Sequence, residues 1–322
     1  MDYCTIRNVD KKVSKILFGT TLDCMERDGD GDELLDSAVA MGINTLDTAR
    51  VYVDGHSEAS IGGWMKRRKN RNDIVILSKG GHYDMETGKS RVNRKEMRYD
   101  LETSLKQLQT DYIDIYLLHR DDPMVPAGEI VEIFNEMHKE GKIGAFGGSN
   151  WTYERLKEAN EYAEKHNLIP FTVSSPNYGL AEQDTDLWGG GCVTISGSQN
   201  KEAREWHLKN DMPVIAYSSL GRGMFSGRVK SAEPEKIGDI MDQPSIEAYG
   251  GARNFERLRR CEELAAQKNC SVSQIALSWL LHQELKTFAV VSSKNVGRMQ
   301  QNVDSLKVEL TEAEKKYVNL ED

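Results

Sequence analysis

The amino-acid sequence predicts an α/β fold, a single (β/α)8 TIM barrel with long rim loops. Eight short apolar, β-branched runs recur along the 322 residues. Stretches with the apolar spacing of amphipathic helices lie between them. The runs are almost continuously apolar, as parallel strands covered by helices are, and eight such units are the number that closes a barrel.

Each predicted strand ends in polar or glycine-containing letters. In chain order the strands are KILFGT, INTLDTA, DIVILSK, YIDIYLLH, KIGAFGGSN, FTVSSPNY, MPVIAYSSL and TFAVVSSK. Their polar ends all belong to the carboxyl-terminal rim of the predicted barrel, which is where barrel enzymes build their sites.

Helical spacing is clearest in DELLDSAVAMG, RKEMRYDLETSLKQLQ, EIVEIFNEMHKEG, TYERLKEANEYAEKHN, FERLRRCEELAAQKN and SVSQIALSWLLHQ. In the second of these, Met97, Leu101, Leu105 and Leu108 are three or four residues apart, which predicts one buried stripe against a sheet. The segment before the seventh strand has the least regular helical spacing.

No spacer rich in glycine, proline or serine divides the chain, so residues 1–322 are predicted to form one domain. Two connections, at about 182–200 and 221–250, are longer than a barrel needs. Long loops in compact domains usually have a task, so both are candidate lids over the rim.

Composition excludes several classes of protein. The formal net charge is −9 with dispersed basic residues, which argues against a nucleic-acid partner. No apolar run approaches the ~20 residues that span a bilayer, and the first residues lack a secretory signal, which predicts a cytoplasmic protein. The five cysteines form no C-x-x-C pair, which favours free thiols in a reducing compartment, and the seven histidines lack metal-ligand spacing, so no metal is predicted.

Four chemically active side chains follow successive strands: Asp47 with Tyr52, then Lys79, then His119. Taken singly, each has a bland alternative, namely a helix cap, a packing residue, a solvated strand end and a core histidine. Together they suit proton transfer. A tyrosine with a pKa near ~10 donates poorly unless a cation stabilises its phenolate, and a lysine held by a carboxylate would do so. The histidine could orient a carbonyl oxygen.

The segments INTLDTARVY, ILSKGG, YIDIYLLHRDDP, GAFGGSN, VIAYSSLGRG and SSKNVGRMQQN resemble, in order, the signatures of the aldo-keto reductase family, in particular its bacterial-type NADP-dependent oxidoreductases. The likeness covers nearly the whole chain. It implies a barrel that binds NADPH and reversibly reduces an aldehyde or ketone to an alcohol. The family's tetrad matches Asp47, Tyr52, Lys79 and His119, with Tyr52 as the proton donor.

The same resemblance implies the nicotinamide contacts. Gly19 and Thr20 match a step beside the nicotinamide and its ribose, and Ser149 with Asn150 matches the pair that binds the carboxamide. Tyr217 matches the aromatic residue that stacks on the ring. Ser175 stands where the family commonly has glutamine, and this shorter side chain puts that contact in doubt.

Contacts to the rest of the nucleotide follow in the later motifs. The segment SSLGRG would wrap the pyrophosphate, and its named candidates are Ser218, Leu220 and Arg222. Lys294 and Arg298, after Ser293, lie at a predicted helix start that suits a phosphate, and Gln301 with Asn302 matches the adenine contacts. Many members carry a basic residue where this chain has Ser292, so NADP is preferred without excluding NAD.

The substrate is expected to be a small-molecule carbonyl compound or alcohol. Candidate pocket residues are Tyr83, Arg120, Trp151 and Trp188, each with surface exposure or packing as the alternative. Polar residues near the rim, including His56, His82, Arg120 and Asp121, suit a hydroxylated substrate such as a sugar. The protein is expected to be a monomer or a simple homo-oligomer.

Two other functions stay open at this point. The chain could bind NADPH mainly as a redox-sensing or partner-binding subunit with little turnover, although no added interaction segment is obvious. It could also be a phosphate-binding barrel isomerase or lyase with a Schiff base at Lys79, which leaves Asp47 and Tyr52 without a shared purpose.

Overall fold

A computed structural model describes residues 1–188 and 190–321. The strands are β1 Tyr3–Cys4, β2 Val13–Ser14, β3 Ile16–Gly19, β4 Thr45–Asp47, β5 Val75–Gly80, β6 Ile113–Leu118, β7 Ile143–Ser149, β8 Val173–Ser175, β9 Val214–Ala216 and β10 Thr287–Val291. Strands β3 to β10 form a closed barrel in the order β10-β3-β4-β5-β6-β7-β8-β9. The predicted (β/α)8 barrel is confirmed.

The helices are α1 Asp32–Ala40, α2 His56–Arg68, α3 Arg94–Leu108, α4 Ala127–Lys139, α5 Tyr153–Lys165, α6 Lys201–Lys209, α7 Gln243–Tyr249, α8 Ala252–Lys268, α9 Val272–Leu281, α10 Val296–Asp304 and α11 Glu312–Asn319. No helix in the described part of the chain is long and apolar enough to cross a membrane. Backbone contacts divide the chain into two compact units, Asp2–Ser175 and Pro176–Asp322 with Met1. The single domain over 1–322 stays a prediction.

In the first unit, strands β3 to β8 pair in parallel, and the register brings Asp47 opposite Leu77 and Lys79 opposite Leu117. Asn93 caps the start of helix α3, because its side chain accepts a hydrogen bond from the Glu96 amide. Its predicted stripe is buried, with Met97 and Leu101 each 1% exposed. The apolar runs therefore form strands and the apolar stripe forms a helix, as the sequence patterns predicted.

In the second unit, β9 and β10 pair in parallel, with Ile215 opposite Phe288. Every residue of helix α9 except Gln274 is buried, and a capping box between Ser271 and Gln274 stabilises its start. The long connection at 221–250 contains the short helix α7, and that at 182–200 ends in a 3-10 turn at Ser198–Asn200. Their role as lids stays a prediction.

The sequence patterns did not predict the β1–β2 hairpin, α2, α7 or α11. The antiparallel hairpin of β1 and β2 has only two residues per strand, too few for a periodic signal. Helix α2 contains two adjacent glycines. Close packing requires the first, Gly62, because a Cβ there would lie 2.3 Å from the Gln107 carbonyl oxygen. Helix α6 lies where the helix with the least regular spacing was predicted, before the seventh barrel strand.

Candidate active site

The four predicted catalytic side chains come together at the ends of β4, β5 and β6. The Lys79 Nζ lies 2.7 Å from Asp47 Oδ1 and 3.2 Å from the Tyr52 hydroxyl, and it also donates to the Thr48 carbonyl at 3.0 Å. The rings of Tyr52 and His119 meet edge to face with centroids 5.7 Å apart. Parallel pairing of adjacent strands causes this convergence, since their carboxyl ends lie on the same rim.

Burial sets the electrostatics of this group. Asp47, Lys79 and His119 are 5%, 3% and 9% exposed. Burial raises the pKa of Asp47, against the opposing effect of Lys79. Burial disfavours the charged ammonium of Lys79, but Asp47 and the Tyr52 oxygen more than offset that effect, so the pKa of Lys79 is raised. The result is a buried ion pair in contact with a phenol.

Tyr52 experiences two opposing influences. Burial raises its pKa, whereas the Lys79 charge favours the phenolate and lowers it. A phenol that stays protonated and touches a cation can release its proton at a cost that the cation reduces. This arrangement suits a general acid for a developing alkoxide.

His119 is a neutral imidazole near neutral pH. Burial lowers its pKa well below the usual range, and the Lys79 charge adds to that effect. Its backbone amide donates to the Gly80 carbonyl at 2.7 Å, which holds the residue beside β5. A neutral ring donates or accepts one hydrogen bond at each nitrogen, so His119 can orient a carbonyl oxygen without adding charge.

A left-handed turn that the sequence analysis missed presents Tyr52. Val53, Asp54 and Gly55 have φ values of 51°, 53° and 87°. Left-handed backbone suits glycine, but at a β-branched residue such as Val53 it is strained. Arg50 ties the turn to the lysine strand, because its amide donates to the Lys79 carbonyl at 2.9 Å. The letters YVDG alone gave no signal for this strain.

Three hydroxyl groups form a buried hydrogen-bond network next to the tetrad. The Thr20 hydroxyl donates to the Asp47 carbonyl at 2.8 Å, and the Ser57 hydroxyl lies 2.7 Å from that of Thr20 and 2.9 Å from that of Thr48. All three side chains are fully buried. Thr48 and Ser57 were missed, since neither differs in sequence from an ordinary turn or helix residue.

A buried acid lies behind β5. Glu58 Oε1 accepts a hydrogen bond from Ser78 at 2.5 Å, and Ser78 immediately precedes Lys79. Burial raises the pKa of Glu58 to about 7, opposed by Ser78, Ser104 and the charge of Arg50. Glu58 therefore joins the start of α2 to the strand that carries the lysine.

The cofactor candidates of the first unit lie at the same strand ends. Gly19 ends β3 with Thr20 next to it, and Ser149 ends β7. Asn150 follows at φ 61°, and its side-chain amide donates to the His119 carbonyl at 3.4 Å. The Ser149 hydroxyl donates to the Ser175 carbonyl at 3.1 Å, so the serine at the usual glutamine position contributes its main chain there.

The second unit carries the remaining nucleotide candidates in two segments. Tyr217 follows β9, with the Trp188 ring 5.9 Å away between centroids. Ser218 and Arg222 both have positive φ, which bends the segment around Leu220. Arg222 donates to the Ser245 hydroxyl at 2.7 Å and pairs with Asp242 at 3.2 Å, so the start of α7 holds its guanidinium.

The phosphate and adenine candidates lie just before α10 and within it. Lys294, Arg298 and Gln301 are exposed, Ser293 is partly exposed and Asn302 is buried. The side chain of Asn295 caps the helix by accepting from the Arg298 amide at 2.9 Å. Exposed basic side chains beside a helix N-terminus fit an anionic group such as a nucleotide phosphate.

The four substrate candidates divide into two kinds. Tyr83 is partly exposed and lies beside His82, whereas Trp188, in the second unit, is 39% exposed. Trp151 is 1% exposed and packs on Phe171, and a Cβ at Gly148 would lie 2.4 Å from its ring, so it serves packing. Arg120 is 8% exposed and directly follows His119.

A family model described as the Aldo/keto reductase family matches residues 27–319. This chain belongs to the aldo/keto reductase family. The resemblance inferred from the motifs is confirmed. Family membership makes the protein an oxidoreductase of carbonyl groups in small molecules, served by a nicotinamide nucleotide.

Similar proteins have related descriptions. Norsolorinic acid reductase B of Dothistroma septosporum is 28% identical over 291 residues, which cover 87% of this chain and 69% of the relative. Aldo-keto reductase YhdN of Bacillus subtilis is 26% identical over 309 residues, 93% of this chain and 87% of the relative. An aryl-alcohol dehydrogenase of Pestalotiopsis microspora is 26% identical over 285 residues, 87% of this chain and 69% of the relative.

Among solved structures, a thermostable aldo-keto reductase in complex with the inhibitor epalrestat has the same fold. The two chains superpose with a TM-score of 0.74 at 24% identity, and the match covers 100% of both.

Proposed function

We propose that this reductase uses NADPH to reduce an aldehyde or ketone to an alcohol, with Tyr52 as the proton donor. The observation that carries the proposal is the position of the Lys79 ammonium, which contacts both the Asp47 carboxylate and the Tyr52 hydroxyl. A buried cation on a phenol has no evident structural benefit, since burying charges costs free energy. It does lower the cost of forming a phenolate.

The roles of the side chains follow from their positions. His119, neutral and edge-on to Tyr52, orients the substrate oxygen so that the Tyr52 hydroxyl can donate its proton to it. Asp47 holds Lys79 charged and in place. When bound, the nicotinamide supplies the hydride for the carbonyl carbon. In the reverse direction the Tyr52 oxygen receives the proton of the alcohol.

We propose that Ser149, Asn150 and Tyr217 hold the nicotinamide end of the nucleotide. Lys294 and Arg298 would bind the 2′-phosphate, because they are exposed cations beside the N-terminus of α10. These two residues support NADP over NAD. The protein would work in the cytoplasm as a single domain, either alone or as a simple homo-oligomer.

The name of a relative points to aromatic compounds as the first substrates to test. One relative is named as an aryl-alcohol dehydrogenase, that is, for aromatic alcohols. In a panel of aromatic aldehydes, aliphatic ketones and sugars, the aromatic aldehydes would therefore be tested first.

The test is nucleotide binding followed by nicotinamide absorbance on the same sample. We expect NADPH to quench tryptophan fluorescence at lower concentrations than NADH does. An aromatic aldehyde should cause a loss of NADPH absorbance with the wild-type protein. Tyr52→Phe should abolish that loss and still bind NADPH. Tight binding without turnover of any panel member would favour the sensing or partner-binding function. Failure to bind either nucleotide would refute the proposal.

A further inference from the structure

We propose that Glu58 is a positioning residue for proton transfer, because its hydrogen bond to Ser78 fixes the turn that carries Tyr52 against the strand that carries Lys79. The inference rests on the proposed reductase function and adds one residue to those on which that function depends. The role of Glu58 would be indirect, through the distance between the Tyr52 hydroxyl and the Lys79 ammonium.

Main-chain hydrogen bonds hold the chain before Tyr52 against β5. The Thr48 amide donates to the Leu77 carbonyl at 2.8 Å, and the Arg50 amide donates to the Lys79 carbonyl at 2.9 Å. Tyr52 follows Arg50 by two residues. The entry to the turn is therefore bonded to the lysine itself.

Two side chains at the start of α2 hold the chain that leaves the turn. The Ser57 hydroxyl lies 2.7 Å from that of Thr20 and 2.9 Å from that of Thr48, which ties the exit to the ends of β3 and β4. Glu58 Oε1 accepts a hydrogen bond from the Ser78 hydroxyl at 2.5 Å, which ties the exit to β5. The Glu58 contact is thus the one that reaches the lysine strand.

The two contacts to β5 close a loop around the proton donor. One runs from Lys79 to Arg50, and the other runs from Ser78, the neighbour of Lys79, to Glu58. Tyr52 lies between them in the chain, and its hydroxyl is 3.2 Å from the Lys79 Nζ. Proton transfer is sensitive to such a distance, since a misplacement of about 1 Å can lower the rate ~100-fold.

The turn requires contacts of this kind because its backbone is strained. Val53 and Asp54 have left-handed φ values of 51° and 53°, which a β-branched residue such as Val53 disfavours. A Cβ at Gly55 would lie 2.7 Å from Arg50 Nη1, so the turn folds closely onto the Arg50 guanidinium. Strained backbone persists only where its surroundings hold it. Loss of the Glu58 contact would let the turn relax and would move the proton donor.

Glu58 is fully buried, although it is an acidic residue in the first turn of a helix. Burial raises its pKa to about 7, and Ser78, Ser104 and the charge of Arg50 oppose that effect. An apolar side chain could fill the same place without the cost of desolvating a carboxyl group. What the carboxyl group adds is an acceptor for the Ser78 hydroxyl.

The effect of Glu58 on Tyr52 is expected to come from position and not from charge. Burial raises the pKa of Tyr52, and the charges that shift it most belong to Lys79, Asp47 and Arg120. A carboxyl group can accept the same hydrogen bond whether it is protonated or ionised. Glutamine at position 58 keeps that acceptor without the charge, whereas alanine removes it.

The test compares Glu58→Ala with Glu58→Gln, using NADPH and the aromatic aldehyde that the wild-type protein reduces fastest. Each kcat is expressed per NADPH-binding site, counted by fluorescence titration, so that unfolded molecules do not contribute. We expect Glu58→Ala to lower kcat by about 10- to 100-fold, with KM and NADPH affinity within about twofold of wild type. Glu58→Gln should keep about half or more of the wild-type kcat.

The solvent isotope effect identifies the step that slows. A misplaced proton donor makes proton transfer a larger part of the rate limit, so the ratio of kcat in H2O to kcat in D2O should rise in Glu58→Ala. A general loss of structure would leave that ratio at its wild-type value. Glu58→Gln should also keep the wild-type ratio.

Two further variants test the same contact and its specificity. Ser78→Ala removes the donor of the hydrogen bond and should reproduce both the fall in kcat and the rise in the isotope ratio. Glu132→Ala is the matched control, because Glu132 on α4 is a partly buried acid that accepts a hydrogen bond from the Tyr162 hydroxyl at 2.6 Å. It should keep the wild-type kcat and isotope ratio.

A wild-type kcat in folded Glu58→Ala or in Ser78→Ala would overturn the inference and leave the reductase function standing. A lower kcat with an unchanged isotope ratio would assign Glu58 a purely structural role and would also overturn it. If Glu58→Ala does not fold, Ser78→Ala alone decides. Failure of the wild-type protein to reduce any member of the aldehyde, ketone and sugar panel would instead count against the proposed function.

Discussion

The rim of the first unit and the rim segments of the second unit are organised differently. In the first, Asp47, Lys79 and His119 are buried and held by hydrogen bonds to neighbouring strands. In the second, Lys294 and Arg298 are exposed at the start of α10. Proton transfer requires groups held within fractions of an ångström, whereas attraction of a phosphate tolerates mobile cations. The candidate catalytic groups are thus held in place by their neighbours, whereas the candidate phosphate contacts are exposed side chains.

The largest expected effect is at Lys79. Lys79→Met removes the cation from Tyr52 and should lower kcat by about 100- to 10,000-fold. It also leaves the buried Asp47 carboxylate without its partner, which costs about 3–5 kcal/mol of folding free energy. Single-turnover absorbance measures the first effect, and urea unfolding measures the second.

The double variant Asp47→Asn with Lys79→Met separates the two effects. It should recover most of the stability, because no unpaired charge remains, yet stay as inactive as the single variant. Activity returning along with stability would mean that the ion pair is structural, which would break the contrast between the two regions.

Glu58 tests whether the buried support of the tetrad is sensitive to pH. Its pKa is raised to about 7 in the folded protein, above its ordinary value of 4.5, so the folded state holds a proton that the unfolded chain has released between those values. Stability from this group is therefore present below pH ~4.5 and lost as pH rises to ~7, by roughly 3 kcal/mol.

Glu58→Gln should remove that dependence. Urea unfolding at pH 5 and pH 8 is expected to give a smaller difference for the variant than for wild type. Glu161→Gln, at a side chain 66% exposed on α5, is the matched control and should behave as wild type. Equal pH dependence in wild type and Glu58→Gln would contradict the buried, protonated acid.

Lys294 tests the proposed phosphate contact in the second unit. Lys294→Ala should weaken NADPH binding by about tenfold, since it removes one charge-assisted contact to a phosphate, and should leave NADH binding nearly unchanged. Fluorescence titration measures both. Lys201→Ala, at a side chain 76% exposed on α6, controls for net charge. An equal loss for both nucleotides would remove the assignment of Lys294 to the 2′-phosphate.

The smallest expected effect concerns the turn that presents Tyr52. Val53→Gly should relieve the strain of a β-branched residue at φ 51° and raise the free energy of unfolding by about 1 kcal/mol. A modest fall in kcat is expected, because glycine loosens the position of Tyr52. Asp54→Gly, at φ 53°, tests a residue that tolerates this conformation better. Lower stability in Val53→Gly would show that other contacts compensate the strain.

The sequence by itself determined the barrel and the tetrad. Continuously apolar runs form the strands, and segments with a helical period near ~3.6 form the helices that cover them. Parallel pairing then brings the strand ends to one rim. Asp47, Lys79 and His119 were readable because each is a polar residue that ends an apolar run. Trp151 was ambiguous for the opposite reason, since an aromatic residue after a strand fits a pocket and a core equally well.

Only the tertiary structure decided what surrounds those groups. The left-handed turn at Val53, the hydroxyls of Thr48 and Ser57, and the buried acid Glu58 come from separate elements and have no shared sequence pattern. The same holds for the ring contacts that join Tyr52 to His119, His119 to His82 and His82 to Tyr83. Burial and proximity depend on residues that are distant in the chain, and they set pKa values and contacts that a sequence period does not encode.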